Sequence, residues 1–159
     1  MPISFEDFSI TVPAPQQPFV VSLHEALSQK GAVLKIKEAK SGYLVSYLWD
    51  NKSIMNWVFR KSGILARIYG DHAGRYEDIL FSLPTDMQEK MVSARDCKRL
   101  KDPNACSATC VMGMVYPLQG EIQKKCRNDG MLFPLTEGSA PHIQSLVLAE
   151  LAARQGVAS

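Results

Sequence analysis

Four cysteines lie within one 30-residue window of the 159-residue chain, and no other cysteine occurs in it. They follow the pattern Cys97-x8-Cys106-x3-Cys110-x15-Cys126. Zn²⁺ in structural sites prefers four tetrahedral ligands, and cysteine thiolate is a common ligand. Cys106 and Cys110 have the short separation that is typical of zinc ligands, although the x8 gap departs from a pattern of two C-x₂-C doublets. The pattern predicts a structural zinc site at these four cysteines.

The residues around the cysteines favour the thiolate form. Positive charge stabilises a thiolate and offsets the negative charge of a four-thiolate zinc centre. Eight of the chain's 18 basic residues flank the cysteines: Lys90, Arg95, Lys98, Arg99, Lys101, Lys124, Lys125 and Arg127. Gly113 and Gly130 follow Cys110 and Cys126 closely. Glycine there lets the backbone turn so that N–H groups can point at sulfur.

Three other uses of the cysteines remain open from the sequence. An iron–sulfur cluster also takes four thiolates. Disulfides would require an oxidising compartment. Free cysteines are often buried as small hydrophobic side chains. The clustering of all four in a polar, turn-rich stretch argues against inert burial.

The cysteine stretch also resembles a pattern in small bacterial proteins, CKRLxxPxxCxxxCxxG…KC. The residues that carry it here are Cys97, Lys98, Arg99, Leu100, Pro103, Cys106, Cys110, Gly113, Lys125 and Cys126. The resemblance covers residues 57–135. The resemblance implies an aromatic residue after the glycine in many of those proteins, where this chain has Met114. No activity is assigned to that group, so the resemblance implies a grouping and no mechanism.

His72 is the strongest candidate for acid–base chemistry outside the cysteines. It follows Asp71 in a glycine-flanked loop, so the Asp71 carboxylate could orient the imidazole as a general base. The alternative is a polar loop residue that bonds its own backbone, and no nucleophile lies nearby in sequence. His24 is predicted at the surface, and His142 begins a helix with no evident ligand role. We therefore assign no catalytic residue.

The elements that must position these residues are predicted to form an α+β fold. Four runs at 32–38, 43–49, 53–59 and 64–69 are separated by short polar turns, which predicts a four-stranded antiparallel meander. Three of these runs carry apolar residues on both faces, so both faces of the sheet should be covered. Helices cover one face in this prediction. The N-terminal arm, the cysteine-rich module or a second subunit covers the other, and we expect a homodimer.

Helices are predicted at 23–30, 75–83 and 85–94, the first with Ser22 and Glu25 as a capping box. Ser139 begins a last helix whose apolar stripe consists of Ile143, Leu146, Val147 and Leu151. Two strands at 112–118 and 122–126 form a hairpin, and a further strand is predicted at 131–135. Trp49 and Trp57 are predicted in the core.

The chain is predicted to be a single domain over 1–159. Its parts are an extended arm at 1–21, whose prolines disfavour helix, a sheet with helices at 32–94, a cysteine-rich module at 97–135 and a C-terminal helix at 139–155.

Composition narrows the classes of function. Hydrophobic residues make up 46% of the chain and charged residues 21%, which is typical of a folded domain, and the net charge is only +2. The sequence shows no signal peptide and no apolar run of about 18 residues, so we expect a cytoplasmic protein with reduced thiols and no membrane association. The prediction is a binding or regulatory protein with structural Zn²⁺. The alternatives are a thiol-redox enzyme that uses the clustered cysteines and a nucleic-acid-binding module, so enzymatic activity stays open.

Overall fold

The structure of the protein, a computed structural model, describes residues 3–40, 42–102, 104 and 113–156. Two of the predicted zinc ligands, Cys97 and Cys126, are among these residues. The other two, Cys106 and Cys110, lie outside the described residues. The fold is α+β, as the sequence predicts.

The strands form one large sheet and one separate hairpin. Their bounds are β1 Val33–Ala39, β2 Gly42–Trp49, β3 Lys52–Arg60, β4 Gly63–Ile68, β5 Met114–Leu118, β6 Glu121–Lys125 and β7 Leu132–Pro134. The large sheet has the order β1-β2-β3-β4-β7, and every neighbouring pair is antiparallel. The meander of the first four strands is confirmed. Asp50 and Asn51 turn the second hairpin with φ of 52° and 65°, the left-handed conformation that two-residue turns require.

Strand β7 confirms the strand predicted at 131–135 and adds it to the sheet as a fifth strand, a position that the sequence did not indicate. It pairs with β4 through Leu65↔Pro134 and Arg67↔Leu132. Proline lacks a backbone donor, and an edge strand tolerates this because it has a neighbour on one side only. The predicted strand at 131–135 therefore extends the meander rather than standing apart from it.

Six helices accompany the sheet in the described part of the chain. Their bounds are α1 Phe5–Ser9, α2 Gln17–Gln29, α3 Glu77–Phe81, α4 Thr85–Ser93, α5 Lys98–Lys101 and α6 Ala140–Arg154. Short 3₁₀ turns lie at Ala14–Gln16 and Ala73–Arg75. The predicted helix at 75–83 is thus divided between a 3₁₀ turn and α3. None of the helices among the described residues combines the length and apolar content that a membrane crossing needs.

The prediction of an extended arm over 1–21 is wrong, because the part of it that the structure describes, residues 3–21, is largely helical. Ser4 Oγ accepts the Asp7 N–H at 3.2 Å, and the Asp7 carboxylate accepts the Ser4 N–H at 2.8 Å, which makes a capping box for α1. Pro15 and Pro18 lie at the second positions of their helices. A missing N–H is harmless there because the first turn has no intrahelical acceptor for it.

Helix α2 also begins earlier than predicted. It starts at Gln17, so Ser22 lies inside the helix and does not cap it. Its end agrees with the sequence, since Gly31 follows with φ of 93°, a conformation that glycine adopts at helix C-termini.

The core lies between the helices and one face of the sheet. The ring of Phe8 packs edge-on against Phe59 at a centroid distance of 5.9 Å, and Phe19 packs against Trp57 at 6.3 Å. Trp57 is fully buried, which confirms its predicted core position, and Trp49 is half-buried. Since Phe8 lies on the helical side, the arm, one of the three alternatives for covering the opposite face, does not cover it.

The opposite face of the sheet is partly open. Leu44 and Leu65 are half-buried there, while Val58, which is paired with Leu65, is 6% exposed. Asn56 donates to Ser46 Oγ at 2.6 Å across the β2–β3 pair on the same face. Apolar and polar side chains therefore alternate along this surface, which we call the open sheet face.

Candidate functional site

Cys97 and Cys126 lie on neighbouring segments of the cysteine-rich module, joined by an isolated antiparallel bridge. The Cys97 N–H donates to the Lys124 carbonyl at 3.0 Å, and the Cys126 N–H donates to the Arg95 carbonyl at 2.8 Å. The segment that follows α4 thus runs beside the end of β6. These backbone bonds fix where both cysteines sit.

The two cysteines point to the same side of this bridge. The directly opposed pair, Asp96 and Lys125, forms an ion pair at 2.8 Å on one side. Side chains alternate along extended backbone, so Cys97 and Cys126 project from the other side. Their positions are diagonal across the bridge, at a Cβ separation of about 7–8 Å or less. The first and last predicted ligands are therefore neighbours in space.

Both sulfurs accept hydrogen bonds. The Gly113 N–H donates to Cys97 Sγ at 3.2 Å, and Arg95 Nη2 donates to Cys126 Sγ at 3.4 Å. Such donors stabilise thiolate charge in a metal site. A Cβ at Gly113 would lie 2.2 Å from the Lys125 carbonyl and 2.6 Å from Cys97 Cβ. Glycine is thus required for this approach, which confirms its expected role at Gly113.

Cys97 is buried, Cys126 is half-buried, and both are free thiols. Within the described residues, no group of three or more His, Cys, Asp or Glu side chains is arranged to hold a metal ion. Because Cys106 and Cys110 lie outside those residues, the four-cysteine zinc site stays a prediction.

Three of the cations that flank the cysteines form ion pairs with carboxylates. The pairs are Arg95–Asp129 at 3.1 Å, Lys125–Asp96 at 2.8 Å, and Arg127–Asp71. Each pair neutralises a positive charge that could otherwise bind a phosphate group of a nucleic acid. The basic flank is therefore better suited to holding the module together than to binding phosphates along an extended surface.

A second polar cluster is centred on Glu150, near the end of α6. Its carboxylate is fully buried and accepts four hydrogen bonds. Oε1 accepts the His72 backbone N–H at 3.0 Å and the Tyr76 hydroxyl at 2.7 Å. Oε2 accepts His72 Nδ1 at 2.8 Å and Arg154 Nε at 2.8 Å. An uncompensated buried carboxylate would be very costly, and these four donors offset that cost.

The carboxylate that orients His72 is thus Glu150, and the expectation that Asp71 does so is wrong. Asp71 instead pairs with Arg127 and lies 3.4 Å from Arg154 Nη2. The reason is packing. Helix α6 brings Glu150 beneath the loop, and the Asp71 side chain turns toward the two guanidinium groups.

Arg154 ties this cluster to the sheet. Its Nη1 donates to the Lys52 carbonyl at 3.2 Å, and its Nη2 donates to the Tyr69 carbonyl at 3.0 Å. The Arg127 guanidinium lies over the Tyr69 ring at 4.8 Å from the centroid. Because Arg127 directly follows Cys126, the cysteine-rich module contacts the same cluster.

Tyr76 is a hydrogen-bond donor in this cluster. Burial raises the pKa of Tyr76 far above its usual range, and the Glu150 carboxylate raises it further. The hydroxyl therefore keeps its proton and donates it to Glu150.

His24 is half-buried, whereas the sequence predicts it at the surface. Its Nδ1 lies 2.9 Å from the Tyr47 hydroxyl, and its ring stacks on Phe5 at a centroid distance of 3.8 Å. Burial lowers the pKa of His24, although nearby Glu25 acts in the opposite direction. His142 is half-buried near the start of α6.

Sequence reasoning missed Glu150 and Arg154. A signal for both was present, because Glu150 falls between Val147 and Leu151 on the predicted apolar stripe, and a charged residue on a buried stripe needs a partner. Arg154 lies four residues later, the spacing at which helical side chains form ion pairs.

No family model matches this chain, and neither a curated protein nor a solved structure matches it. The resemblance to small bacterial proteins through the cysteine pattern therefore stays a prediction.

Proposed function

We propose that this chain is a binding or regulatory protein whose cysteine-rich module is held by one structural Zn²⁺, with Cys97, Cys106, Cys110 and Cys126 as ligands. The observation that carries the proposal is the placement of Cys97 and Cys126. They project from the same side of one bridge, and each sulfur accepts a hydrogen bond. Two thiols arranged in this way form half of a tetrahedral site.

A structural role fits Cys97 better than a catalytic one. Cys97 is only 6% exposed, and its sulfur is covered by the Gly113 backbone. A reactive cysteine needs access and an activating partner. A structural zinc site instead has four protein ligands and no open position, which suits buried sulfur.

The outer face of the β5–β6 hairpin supports the binding role. Val115 and Ile122 are 45% and 62% exposed. Ile122 is paired with Pro117, which shares a face with Val115, so the three side chains form an apolar strip. Exposed apolar strips mark surfaces that bind a partner. Zinc in the module would fix the hairpin that presents it.

We place the protein in the cytoplasm in this proposal. Zinc-binding cysteines must stay reduced as thiolates, and the cytoplasm is a reducing compartment. The proposal also includes a homodimer that forms through the open sheet face, since Leu44 and Leu65 leave apolar area there that a second copy would cover.

The test is the metal content of protein purified without added metal or chelator. We expect one zinc per chain by elemental mass spectrometry, and loss of that zinc in Cys126→Ser. Thr109→Ser is the control. It also introduces a serine in the cysteine-rich module, next to Cys110 in sequence, but it leaves all four cysteines in place. Protein without metal, in which four thiols react freely with a titrating reagent, would contradict the proposal.

One observation favours a second candidate, a thiol-redox function. The diagonal placement of Cys97 and Cys126 makes them neighbours, and a backbone shift in this module would bring them to the Cβ separation of about 3.5–4.5 Å that a disulfide needs. Their oxidation would form one S–S bond and pass two protons and two electrons to an oxidant such as oxidised glutathione. Reversible formation of that bond in protein that never held zinc, measured by peptide mass spectrometry, would favour this function over the structural site.

A further inference from the structure

Strand β1 forms one edge of the large sheet. It pairs with β2 at every position from Val33 to Ala39, without a register shift. Among the described residues, no strand lies on its other side. The backbone N–H and C=O groups along that outer side can therefore pair with the backbone of another strand.

The two edges of the sheet differ in how they are protected. The opposite edge, β7, has only three residues and includes Pro134, and both features hinder the pairing of a further strand. Strand β1 has seven residues, with no proline and no bulge in its pairing with β2. The fold thus leaves one long, regular edge available.

The two faces of β1 differ in chemistry. Lys35 pairs with Ser46 and therefore projects from the open sheet face, as does Lys37 two residues later. Leu34 and Ile36 project from the other face, where they are half-buried against the core. A strand added beside β1 would meet two cations on one face and two apolar side chains on the other.

The two lysines have no carboxylate partner within the described part of the chain. Both are exposed, and neither takes part in an ion pair there. Strand β2 contains no charged residue, and Glu38, the acidic residue of β1, alternates to the face opposite the lysines. Their charge is therefore available to a ligand that carries carboxylates.

The same lysines disfavour the pairing of β1 with β1 of a second copy. Antiparallel overlap of two β1 strands along their full length would place each Lys35 opposite a Lys37 of the other copy. Like charges at directly opposite positions destabilise a strand pair, whereas opposite charges stabilise it. The edge therefore discriminates against its own sequence and in favour of an acidic strand.

We propose that the outer edge of β1 binds an extended segment of a partner protein by strand addition, and that acidic and apolar side chains alternate along this segment. Its backbone pairs with the outer edge of β1. Its carboxylates lie beside Lys35 and Lys37, and its apolar side chains lie beside Leu34 and Ile36. This edge contains no cysteine, so the inference does not depend on the proposed zinc site.

The probe is a synthetic peptide with blocked ends, Thr-Glu-Val-Glu-Val-Thr, titrated into the ¹⁵N-labelled full chain while backbone amide signals are recorded by NMR. We expect saturable shifts of the β1 amides. Hydrogen exchange should slow at the β1 amides that face away from β2, because the peptide supplies acceptors for them. A peptide with Lys in place of both Glu residues should bind at least about threefold more weakly, since two attractive pairs become repulsive.

The matched variants are Lys35→Glu and Lys61→Glu. Lys35→Glu should weaken binding of the acidic peptide by at least about threefold, because one attractive cross-strand pair becomes repulsive. Lys61→Glu reverses an exposed charge in the turn between β3 and β4, so the chain has the same net charge in both variants. Lys61→Glu should leave binding unchanged.

Backbone pairing is tested separately from charge. Two further peptides are N-methylated, one at each of the two alternating sets of residues, and both keep their carboxylates. The peptide that is methylated on the side facing β1 should lose binding, because it cannot donate to the edge.

The proposal fails if the acidic peptide shifts no β1 amide, if both lysine variants bind equally, or if both methylated peptides bind as well as the parent. It also fails if the outward β1 amides are already protected in the free chain, because another segment or a second copy then occupies the edge. Zinc content is measured independently, so failure here is distinguishable from failure of the zinc site.

Discussion

The Nε atom of Arg154 lies 2.8 Å from Oε2 of Glu150, one turn earlier on α6. The same guanidinium donates to the carbonyls of Lys52 and Tyr69. One buried ion pair therefore joins the last helix to an end of the sheet. The side chains are 6% and 0% exposed, so neither charge can exchange its partner for water at low cost.

Removal of the Glu150 carboxylate should be strongly destabilising. In Glu150→Ala, the buried Arg154 guanidinium loses the nearer of its two carboxylate partners, and His72 and Tyr76 lose their acceptor. We therefore expect the free energy of unfolding to fall by about 3–5 kcal/mol. Urea unfolding, followed by circular dichroism, measures this change. The control is Glu25→Ala on the exposed face of α2, for which we expect a change within about 0.5 kcal/mol. Equal effects of both variants would contradict the buried ion pair.

Gly113 should not tolerate a side chain. A Cβ there would approach the Lys125 carbonyl to 2.2 Å, so Gly113→Ala must displace backbone and weaken the hydrogen bond to Cys97 Sγ. We expect a loss of about 1–3 kcal/mol in the free energy of unfolding and faster alkylation of the Cys97 thiol. Peptide mass spectrometry of the alkylated protein measures the second effect.

Gly74→Ala is the control for that experiment. No atom lies within 4 Å of a Cβ built at Gly74, so the variant should match the wild type in stability and in Cys97 alkylation. Slow alkylation in both variants would mean that the Gly113 contact does not protect the sulfur.

Stability should depend on pH through His24. Burial lowers the pKa of His24 in the folded state, so the unfolded chain binds the proton more readily. The unfolded chain then holds more protons just below the ordinary histidine pKa of about 6.5, and the free energy of unfolding rises with pH in that window. The stabilisation is present above about pH 6.5 and is lost as the pH falls below it.

The measurement is urea unfolding from about pH 8 to about pH 5, compared with His24→Gln. The variant should lose the part of the pH dependence that His24 supplies. His142→Gln, which changes a histidine in α6 and leaves the contacts of His24 with Phe5 and Tyr47 in place, should keep it. If His24→Gln retains the wild-type profile, the imidazole does not carry this effect.

Light scattering tests the homodimer. We expect twice the chain mass of 17.6 kDa at micromolar concentration. Leu65→Glu should reduce the mass to that of one chain, because a carboxylate on the open sheet face cannot be buried without a partner. Ile10→Glu, at a side chain that is 75% exposed on the helical side, is the control and should leave the mass unchanged. A wild-type mass of 17.6 kDa would exclude the dimer.

Local patterns in the sequence determined the meander and the buried stripe of α6. Alternation along each strand and two-residue turns such as Asp50-Asn51 depend on neighbours in sequence, so the local order of residues specifies them. The same holds for the hairpin turn at Gln119-Gly120. The number of prolines at 1–21 predicts an extended segment, but proline in the first turn of a helix does not disrupt it. The position of each proline therefore decides its effect.

Only the tertiary structure decided the partners of the polar groups. Glu150 meets His72 across 78 positions of sequence, and no local pattern specifies which carboxylate reaches an imidazole over that separation. The pairing of β7 with β4 is of the same kind, since it depends on how the chain returns after the cysteine-rich module. Sequence periodicity fixes which face of an element is buried, but the contact across that face is set when packed elements must satisfy every buried charge at once.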